Sequence, residues 1–156
     1  RIFSLIILIS LNSCKMHVDD VIDGIWSVDY FTTQGSNSME CIFTNTFSFA
    51  ENTVKLPVTK KDCLSNKSSP YKVDDDIEIN RGSWKIVNDN DSLQIDIVTK
   101  NPLFDNKYNL KFTGDNEKRL LMLTLYNELQ IIVMRKGLYN YDANLKQIKK
   151  LEELTR

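Results

Sequence analysis

The side chains that could support catalysis are few, and their spacing does not favour it. The chain contains one histidine, His17, which lies in a polar stretch before the first strand-like segment. A Ser-His-Asp or Cys-His arrangement would therefore have to recruit a residue from outside the folded part of the chain. The sequence also lacks a glycine-rich phosphate loop. We expect a protein that is not an enzyme and that has no catalytic residues and no cofactor.

Oxygen ligands for a metal ion could gather at the densest acidic run, Asp74–Asp76 with Glu78. Strand alternation puts most of these carboxylates on the face opposite Ile77 and Ile79, which favours a solvated strand face. The alternative is a weak Ca²⁺ site, because Ca²⁺ prefers several oxygen ligands, although the run lacks the spacing of an EF-hand. We predict no metal site.

The N-terminus carries the clearest targeting signal. After Arg1, residues 2–11 form an apolar run, IFSLIILISL. A membrane-spanning helix needs roughly 20 apolar residues, so this run is too short to be one. It is typical of the apolar part of a secretory signal peptide, which we predict over residues 1–13.

The last residue of the run begins the sequence Leu11-Asn12-Ser13-Cys14, which resembles a bacterial lipobox. The resemblance implies cleavage before Cys14, a diacylglycerol on its sulfur and an acyl chain such as palmitate on its new amino group. Two alternatives remain, namely an ordinary secretory signal and a buried N-terminal strand that happens to contain a cysteine.

Lipidation would place the chain at a membrane without a spanning segment, because two or three acyl chains are enough for stable anchoring. Residues 14–23 would then form a lipidated polar tether. Its acidic residues, Asp19, Asp20 and Asp23, resemble the surface-export signals of lipoproteins in the Bacteroidetes group. We expect a lipid-anchored protein of the bacterial cell envelope, with the outer membrane favoured and the membrane face left open.

Export into an oxidising compartment would leave Cys41 and Cys63 free to form a disulfide. A crosslink that closes a loop of about 22 residues stabilises a fold by roughly 3 kcal/mol. The alternative is two unrelated buried thiols. A zinc site is less favoured, because the CxxC spacing is absent.

The composition indicates one globular domain, which we place at residues 24–156. The chain has 156 residues, of which 42% are hydrophobic and 26% are charged. This excludes a disordered chain, and a chain of this length commonly forms a single domain. The formal net charge of −1 gives no general attraction to phosphate backbones, so we expect no nucleic-acid partner.

Apolar residues alternate with polar ones in eight or nine segments bounded by turn residues, which predicts half-buried strands. The residues expected to face inward are Trp26, Val28 and Tyr30; Cys41, Phe43, Phe47 and Phe49; Val54, Leu56 and Val58; Tyr71, Val73, Ile77 and Ile79; Trp84 and Ile86; Leu93, Ile95 and Ile97; Tyr108, Leu110 and Phe112; Leu121, Leu123 and Leu125; and Leu129, Ile131 and Val133.

No helical pattern separates these strands, so we predict an all-β, antiparallel, up-and-down barrel. An apolar residue recurs every third position from Leu145 to Leu154, which predicts an amphipathic C-terminal helix over 143–155. Its apolar stripe would pack on the barrel. The alternative is a partner-binding helix.

Gly24-Ile25-Trp26 at the start of the first strand resembles the Gly-x-Trp motif of the lipocalins, and Arg135 at the end of the last strand resembles the basic residue that packs on that tryptophan. The chain is therefore identified as similar to lipocalin-like lipoproteins of Bacteroidetes. The resemblance implies that Gly24, Trp26 and Arg135 close the base of the barrel, with the guanidinium stacked on the indole.

Two functions fit this sequence. The resemblance implies a membrane-anchored module that binds a small apolar or amphipathic ligand in the barrel mouth. The alternative is a structural or interaction module of the envelope, whose barrel is filled by aromatic residues such as Phe43, Phe47, Phe49, Tyr108 and Phe112, and which docks on a protein partner. A roomy interior favours the first function, and a packed interior with an exposed apolar patch favours the second.

Overall fold

The computed structural model describes residues 17–60, 63, 79–89, 92–138 and 141–156. Nine strands account for most of this part of the chain. They are β1 (Gly24–Thr33), β2 (Ser36–Asn37), β3 (Thr46–Ala50), β4 (Thr53–Lys55), β5 (Arg81–Asp89), β6 (Ser92–Thr99), β7 (Asn106–Asp115), β8 (Leu120–Tyr126) and β9 (Gln130–Gly137). Helices α1 (Val18–Ile22) and α2 (Tyr141–Leu154) flank them, and Met39–Cys41 forms one turn of 3-10 helix.

Eight of the strands form a closed antiparallel barrel in the order β1-β3-β4-β5-β6-β7-β8-β9, and the short β2 pairs with the end of β1 outside it. Strand β1 closes the barrel, because it pairs with β3 through Gly24–Ser27 and with β9 through Ser27–Thr33. Consecutive strands are neighbours, which is the up-and-down arrangement. The predicted antiparallel barrel with a C-terminal helix is confirmed.

The core fills the inside of the barrel with the alternate residues of each strand, as the period of two predicts. Strands β6, β7 and β8 follow the prediction closely. Their buried residues are Ile95, Ile97, Tyr108, Leu110, Phe112, Leu121, Leu123 and Leu125.

A β-bulge between Val28 and Tyr30 changes the face of the second half of β1. Trp26 and Val28 are buried, but after the bulge Phe31 is buried and Tyr30 is 45% exposed. A bulge puts one extra residue into one strand, which shifts the alternation that follows it. The predicted inward position of Tyr30 is therefore wrong.

The residues of β9 that face the core are not the ones predicted. Ile132 and Met134 are fully buried, whereas Ile131 is exposed, as is Leu129 in the turn just before the strand. The sequence of β9, QIIVMRKG, has apolar residues in both phases of the alternation. Its hydrophobic pattern therefore does not specify the register, and pairing with β1 and β8 decides it.

Helix α2 covers the part of β7 that continues beyond its pairing with β6. The two strands pair through Asn106–Asn109 of β7. Further along, the Gly114 N–H donates to Glu152 Oε1 at 2.7 Å, and the Phe112 N–H donates to Thr155 Oγ1 at 3.0 Å. Side chains of the C-terminal segment thus bind strand N–H groups in place of a neighbouring strand.

The predicted helix over 143–155 is confirmed as α2, which begins at Tyr141. Ile148 and Leu151 of its apolar stripe are buried against the barrel, whereas Leu154 is 53% exposed. No helix within the described residues is long and apolar enough to cross a membrane.

Candidate functional site

The base of the barrel, where β1 begins, is closed by Trp26 and α1. Trp26 is fully buried, and its indole Nε1 donates a hydrogen bond to the Ile22 carbonyl oxygen at 2.7 Å. Gly24 makes the turn between them with a φ of +114°, a conformation that glycine adopts readily and other residues rarely do. Helix α1 lies within residues 14–23, so this part of the predicted polar tether is folded, and Ile22 is buried in the core.

Lys136 is the cation that packs on this tryptophan. Its Nζ lies 4.8 Å from the centroid of the Trp26 ring. The same ammonium donates hydrogen bonds to the carbonyl oxygens of Val21 at 2.7 Å and Asp23 at 2.6 Å. Burial lowers the pKa of the Lys136 amine, and the nearby charge of Asp23 opposes that effect. Lys136 therefore joins the end of β9 to the end of α1.

Arg135 does not stack on Trp26, which corrects the prediction. In β9 the inward phase contains Met134 and Lys136, so Arg135 points outward beside Ser27. Its Nε lies 3.2 Å from Asp29 Oδ1, and both side chains are partly exposed. The predicted cation was thus one residue away from the observed one, and the signal that would have found it is the phase of β9.

Cys41 and Cys63 form a disulfide with their Cα atoms 5.6 Å apart, which confirms the predicted pair. Cys41 lies in the 3-10 turn and not on a strand as predicted. The neighbouring backbone is also paired, because the Lys60 N–H donates to the Cys41 carbonyl oxygen at 2.8 Å and the Phe43 N–H donates to the Val58 carbonyl oxygen at 2.7 Å. The bridge therefore joins the connection between β2 and β3 to the connection between β4 and β5.

Five aromatic rings form a continuous column in the barrel interior. The ring centroids are 5.5 Å apart for Phe31 and Phe104, 5.3 Å for Phe104 and Phe47, 5.8 Å for Phe47 and Phe49, and 5.4 Å for Phe49 and Trp84. All five residues are buried. Aromatic contacts at these distances are favourable and leave little room between the rings.

The column reaches the mouth, which is the end of the barrel opposite α1, through Phe104. This residue is buried although it lies in the loop 100–105 between β6 and β7 and not on a strand. In the same loop the fully buried Asn101 donates from Nδ2 to Thr59 Oγ1 at 3.0 Å. The loop therefore lies against the mouth, and its phenyl ring plugs the interior.

Gln130, at the start of β9, connects this loop to the barrel wall. Its Nε2 donates to the Leu103 carbonyl oxygen at 2.8 Å, and its Oε1 accepts from the Tyr108 hydroxyl at 2.9 Å and from Asn106 Nδ2 at 3.2 Å. Burial raises the pKa of the Tyr108 phenol, so it remains a donor. A buried polar network with these bonds made holds the loop in one position.

The residues expected to fill the barrel lie inside it with one exception. Phe47, Phe49, Tyr108 and Phe112 are buried, whereas Phe43 is 70% exposed and lies in the connection between the 3-10 turn and β3. The sequence does not reveal Phe104, because a single aromatic in a short loop carries no periodic signal.

A cluster of exposed apolar side chains lies on the outer surface of β1, β8 and β9. Ile131 of β9 pairs with Tyr126 of β8. Tyr30 of β1 pairs with Val133, which lies two residues after Ile131 on the same face of β9. Tyr30 is 45% exposed, Tyr126 39%, Leu129 57% and Ile131 42%. We call these four residues the tyrosine face.

Other predicted features lie outside the described residues. These include the signal peptide, Cys14 and the acidic run at 74–78. Within the described residues, no group of three or more His, Cys, Asp or Glu side chains could hold a metal ion.

Comparisons of the chain with known protein families, with curated proteins and with solved structures give no match. The candidate site consists of a base closed by Trp26 and Lys136, an interior filled with aromatic rings, and an apolar face on the outside.

Proposed function

We propose that this protein is an interaction module of the bacterial cell envelope, lipid-anchored through Cys14, whose filled barrel presents the tyrosine face to a protein partner. The observation that carries the proposal is the aromatic column from Phe31 and Phe104 to Trp84. An apolar ligand inside the barrel would have to displace Phe104, whose loop is hydrogen-bonded to the wall. A lipocalin-like ancestry fits this arrangement, with the ligand space filled by side chains.

The composition of the tyrosine face supports a protein partner. Tyrosine is enriched at protein interfaces, because its ring supplies apolar contact area and its hydroxyl a hydrogen bond. The adjacent Arg135–Asp29 ion pair, with its atoms 3.2 Å apart, supplies a polar edge to the same surface. An apolar centre with a polar rim is the usual anatomy of an interface.

The size of the tyrosine face favours a different protein as the partner over a second copy of this chain. Four side chains that are each about half exposed present on the order of a few hundred Å² of apolar surface, which is similar to the largest patch on an ordinary monomer. A stable dimer needs about 800 Å² from each subunit. We therefore expect a transient contact with a different envelope protein.

The direction of the chain also supports this use of the surface. The N-terminal side enters at the base through α1, and β1 runs from Gly24 at the base to Thr33 at the mouth, where it pairs with Gln130. Ile131 lies at the mouth end of β9, and Leu129 lies in the turn just before this strand. A chain anchored through Cys14 would hold its base near the membrane and present the tyrosine face farther away.

The test is site-specific photo-crosslinking in the natively anchored protein. A photoreactive residue replaces Ile131, and the matched control replaces Val98, an aliphatic residue of β6 that is 55% exposed on another wall of the barrel. We expect one discrete adduct from position 131 and none from position 98. The adduct should disappear when Tyr30→Ser and Tyr126→Ser are introduced together.

Three results would overturn the proposal. Equal crosslinking from positions 131 and 98 would mean that the tyrosine face is not selective. An adduct with the mass of two copies of this chain would assign the face to a homodimer. An apolar small molecule that co-purifies in stoichiometric amount and is lost on Phe47→Trp would restore ligand binding inside the barrel.

A further inference from the structure

A second surface feature lies on another part of the barrel wall, an open groove of about 540 Å³ over β1, β3, β4 and the start of β5. The strand registers place four of its lining residues in one row, because Ile25 pairs with Ser48, Ser48 with Lys55, and Lys55 with Arg81. The volume lies within the range of small-molecule sites, roughly 300–1,000 Å³.

The row sets two like charges directly opposite each other. Lys55 and Arg81 are cross-strand partners, and both are exposed. Such a pair is unfavourable for the sheet by itself. Neither cation has an ion pair within the described part of the chain, in contrast to Lys85 with Asp96. No carboxylate lines the groove among these residues.

Apolar and hydroxyl groups flank the two cations. On the β1 side Ile25 is 65% exposed, and Leu56 and Val58 line the wall beyond β4. The Thr44 hydroxyl oxygen accepts a hydrogen bond from the Val58 N–H at 2.9 Å. Thr44 and Ser48 both line the groove, so its lining includes two hydroxyl groups.

We infer that this groove binds a small amphipathic anion, with an oxyanion head group between Lys55 and Arg81 and a short apolar chain along Ile25. The arginine fork and the lysine ammonium would donate charge-assisted hydrogen bonds to a carboxylate or phosphate oxygen. Binding would also relieve the repulsion between the two cations. This site is separate from the tyrosine face, so either proposal can fail without the other.

The experiment uses the full chain as isolated, labelled with ¹³C at the isoleucine δ1 methyl groups and titrated with hexanoate. Ile25 reports on the groove, and Ile131 on the tyrosine face serves as an internal control in the same spectrum. We expect a saturable shift of the Ile25 methyl resonance and none of Ile131. Hexanol, which has the same chain without the charge, should bind about tenfold more weakly or not at all.

Variants then test the residues. Lys55→Gln with Arg81→Gln should raise the Kd for hexanoate by about tenfold or more, because two charged donors are lost. Lys111→Gln removes an exposed lysine from the outer face of β7 and should leave the Kd unchanged. Inorganic phosphate should bind more weakly than hexanoate, since it has no apolar part.

The inference is overturned if the Ile25 and Ile131 methyl resonances move together without saturation, or if the Lys55→Gln, Arg81→Gln variant binds hexanoate as tightly as the wild type. If hexanol bound as tightly as hexanoate, the charge of the ligand would contribute nothing and the groove would not be an anion site. This comparison uses only the wild-type protein. Phosphate binding as tight as that of hexanoate would remove the apolar part.

Discussion

The Nζ atom of Lys136 lies 4.8 Å from the ring centroid of Trp26 and donates to two carbonyl oxygens at the end of α1, those of Val21 and Asp23. One ammonium group of the last strand thus contacts the first strand of the barrel and the end of the helix that covers the base. Because Lys136 is more than 100 positions from these partners in the chain, the contact couples the two ends of the fold.

This contact predicts energetic coupling between the two residues. Trp26→Ala should destabilise the protein by about 3–5 kcal/mol, because a large buried aromatic is lost. Lys136→Met keeps the apolar stem but removes the charge, and should destabilise by about 1–2 kcal/mol. Measured by urea denaturation, the double variant should lose less stability than the sum of the two, since residues in contact are not additive.

Arg135→Met is the matched control. The Arg135–Asp29 pair is partly exposed, and exposed pairs contribute about 0–1 kcal/mol. Its effect should add to that of Trp26→Ala within about 0.5 kcal/mol. Coupling of Trp26 to Arg135 in place of Lys136 would contradict the observed arrangement.

The displacement of the predicted cation by one residue shows what a hydrophobic pattern can determine. Strands β7 and β8 alternate cleanly, and their inward residues follow from the sequence. Strand β9 is apolar on both faces, and β1 contains a bulge, so the phase of each depends on hydrogen bonds to neighbouring strands that the pattern does not encode.

The close approach of α2 to β7 predicts a stability effect at Gly114. A Cβ atom at this position would lie 2.6 Å from the Tyr141 hydroxyl and 2.8 Å from Ile148 Cγ2. Gly114→Ala should therefore push the helix away and destabilise by about 1–3 kcal/mol in urea denaturation. At Gly137 nothing lies within 4 Å of such an atom, so Gly137→Ala is the control. Equal losses from the two variants would contradict this packing.

The buried Tyr108 phenol predicts a loss of stability at alkaline pH. Its pKa is raised by burial, so the native state keeps this proton above about pH 10, where the unfolded chain releases it. The native state then binds more protons than the unfolded state, and stability falls as pH rises, with a slope of about 1.4 kcal/mol per pH unit from this group. Below pH 10 the group contributes no pH dependence.

Tyr108→Phe tests this pH dependence. Urea denaturation between pH 8 and pH 11 should show a less steep decline for the variant than for the wild type. At pH 7 the variant should be less stable by about 1 kcal/mol, because the hydrogen bond to Gln130 is lost. Parallel declines for the two proteins would show that the phenol titrates normally.

Lipid attachment at Cys14 remains a prediction from the sequence. Cys14→Ala should release the protein from the membrane fraction or leave it as an uncleaved precursor, because the cysteine thiol is the acyl acceptor. Metabolic labelling with a fatty-acid analogue measures this directly. Cys41→Ala, which removes a disulfide cysteine, should keep the label. A label that persists in Cys14→Ala would disprove the assignment.

The sequence also does not show which phenylalanine closes the mouth of the barrel. Phe43 and Phe104 both precede polar residues in irregular segments, yet Phe43 is 70% exposed and Phe104 is 1% exposed. The difference depends on Asn101 and Gln130, whose side chains hold the loop 100–105 against Thr59 and the barrel wall. Hydrogen bonds between residues far apart in the chain have no local sequence signature.

Phe104→Ala tests whether this plug keeps the barrel closed to ligands. The substitution removes a buried ring that contacts Phe31 and Phe47, and should destabilise by about 3–5 kcal/mol. It should also open apolar space inside the barrel. We expect an environment-sensitive apolar dye to bind the folded variant and not the wild type, measured by fluorescence under conditions where both remain folded.

Phe43→Ala removes the same side chain from the surface, so its stability should change by no more than about 0.5 kcal/mol and it should not bind the dye. If the wild type binds the dye as tightly as Phe104→Ala, the loop does not close the interior. A ligand could then enter the barrel without displacing any residue, and the barrel would not be the filled interaction module proposed above.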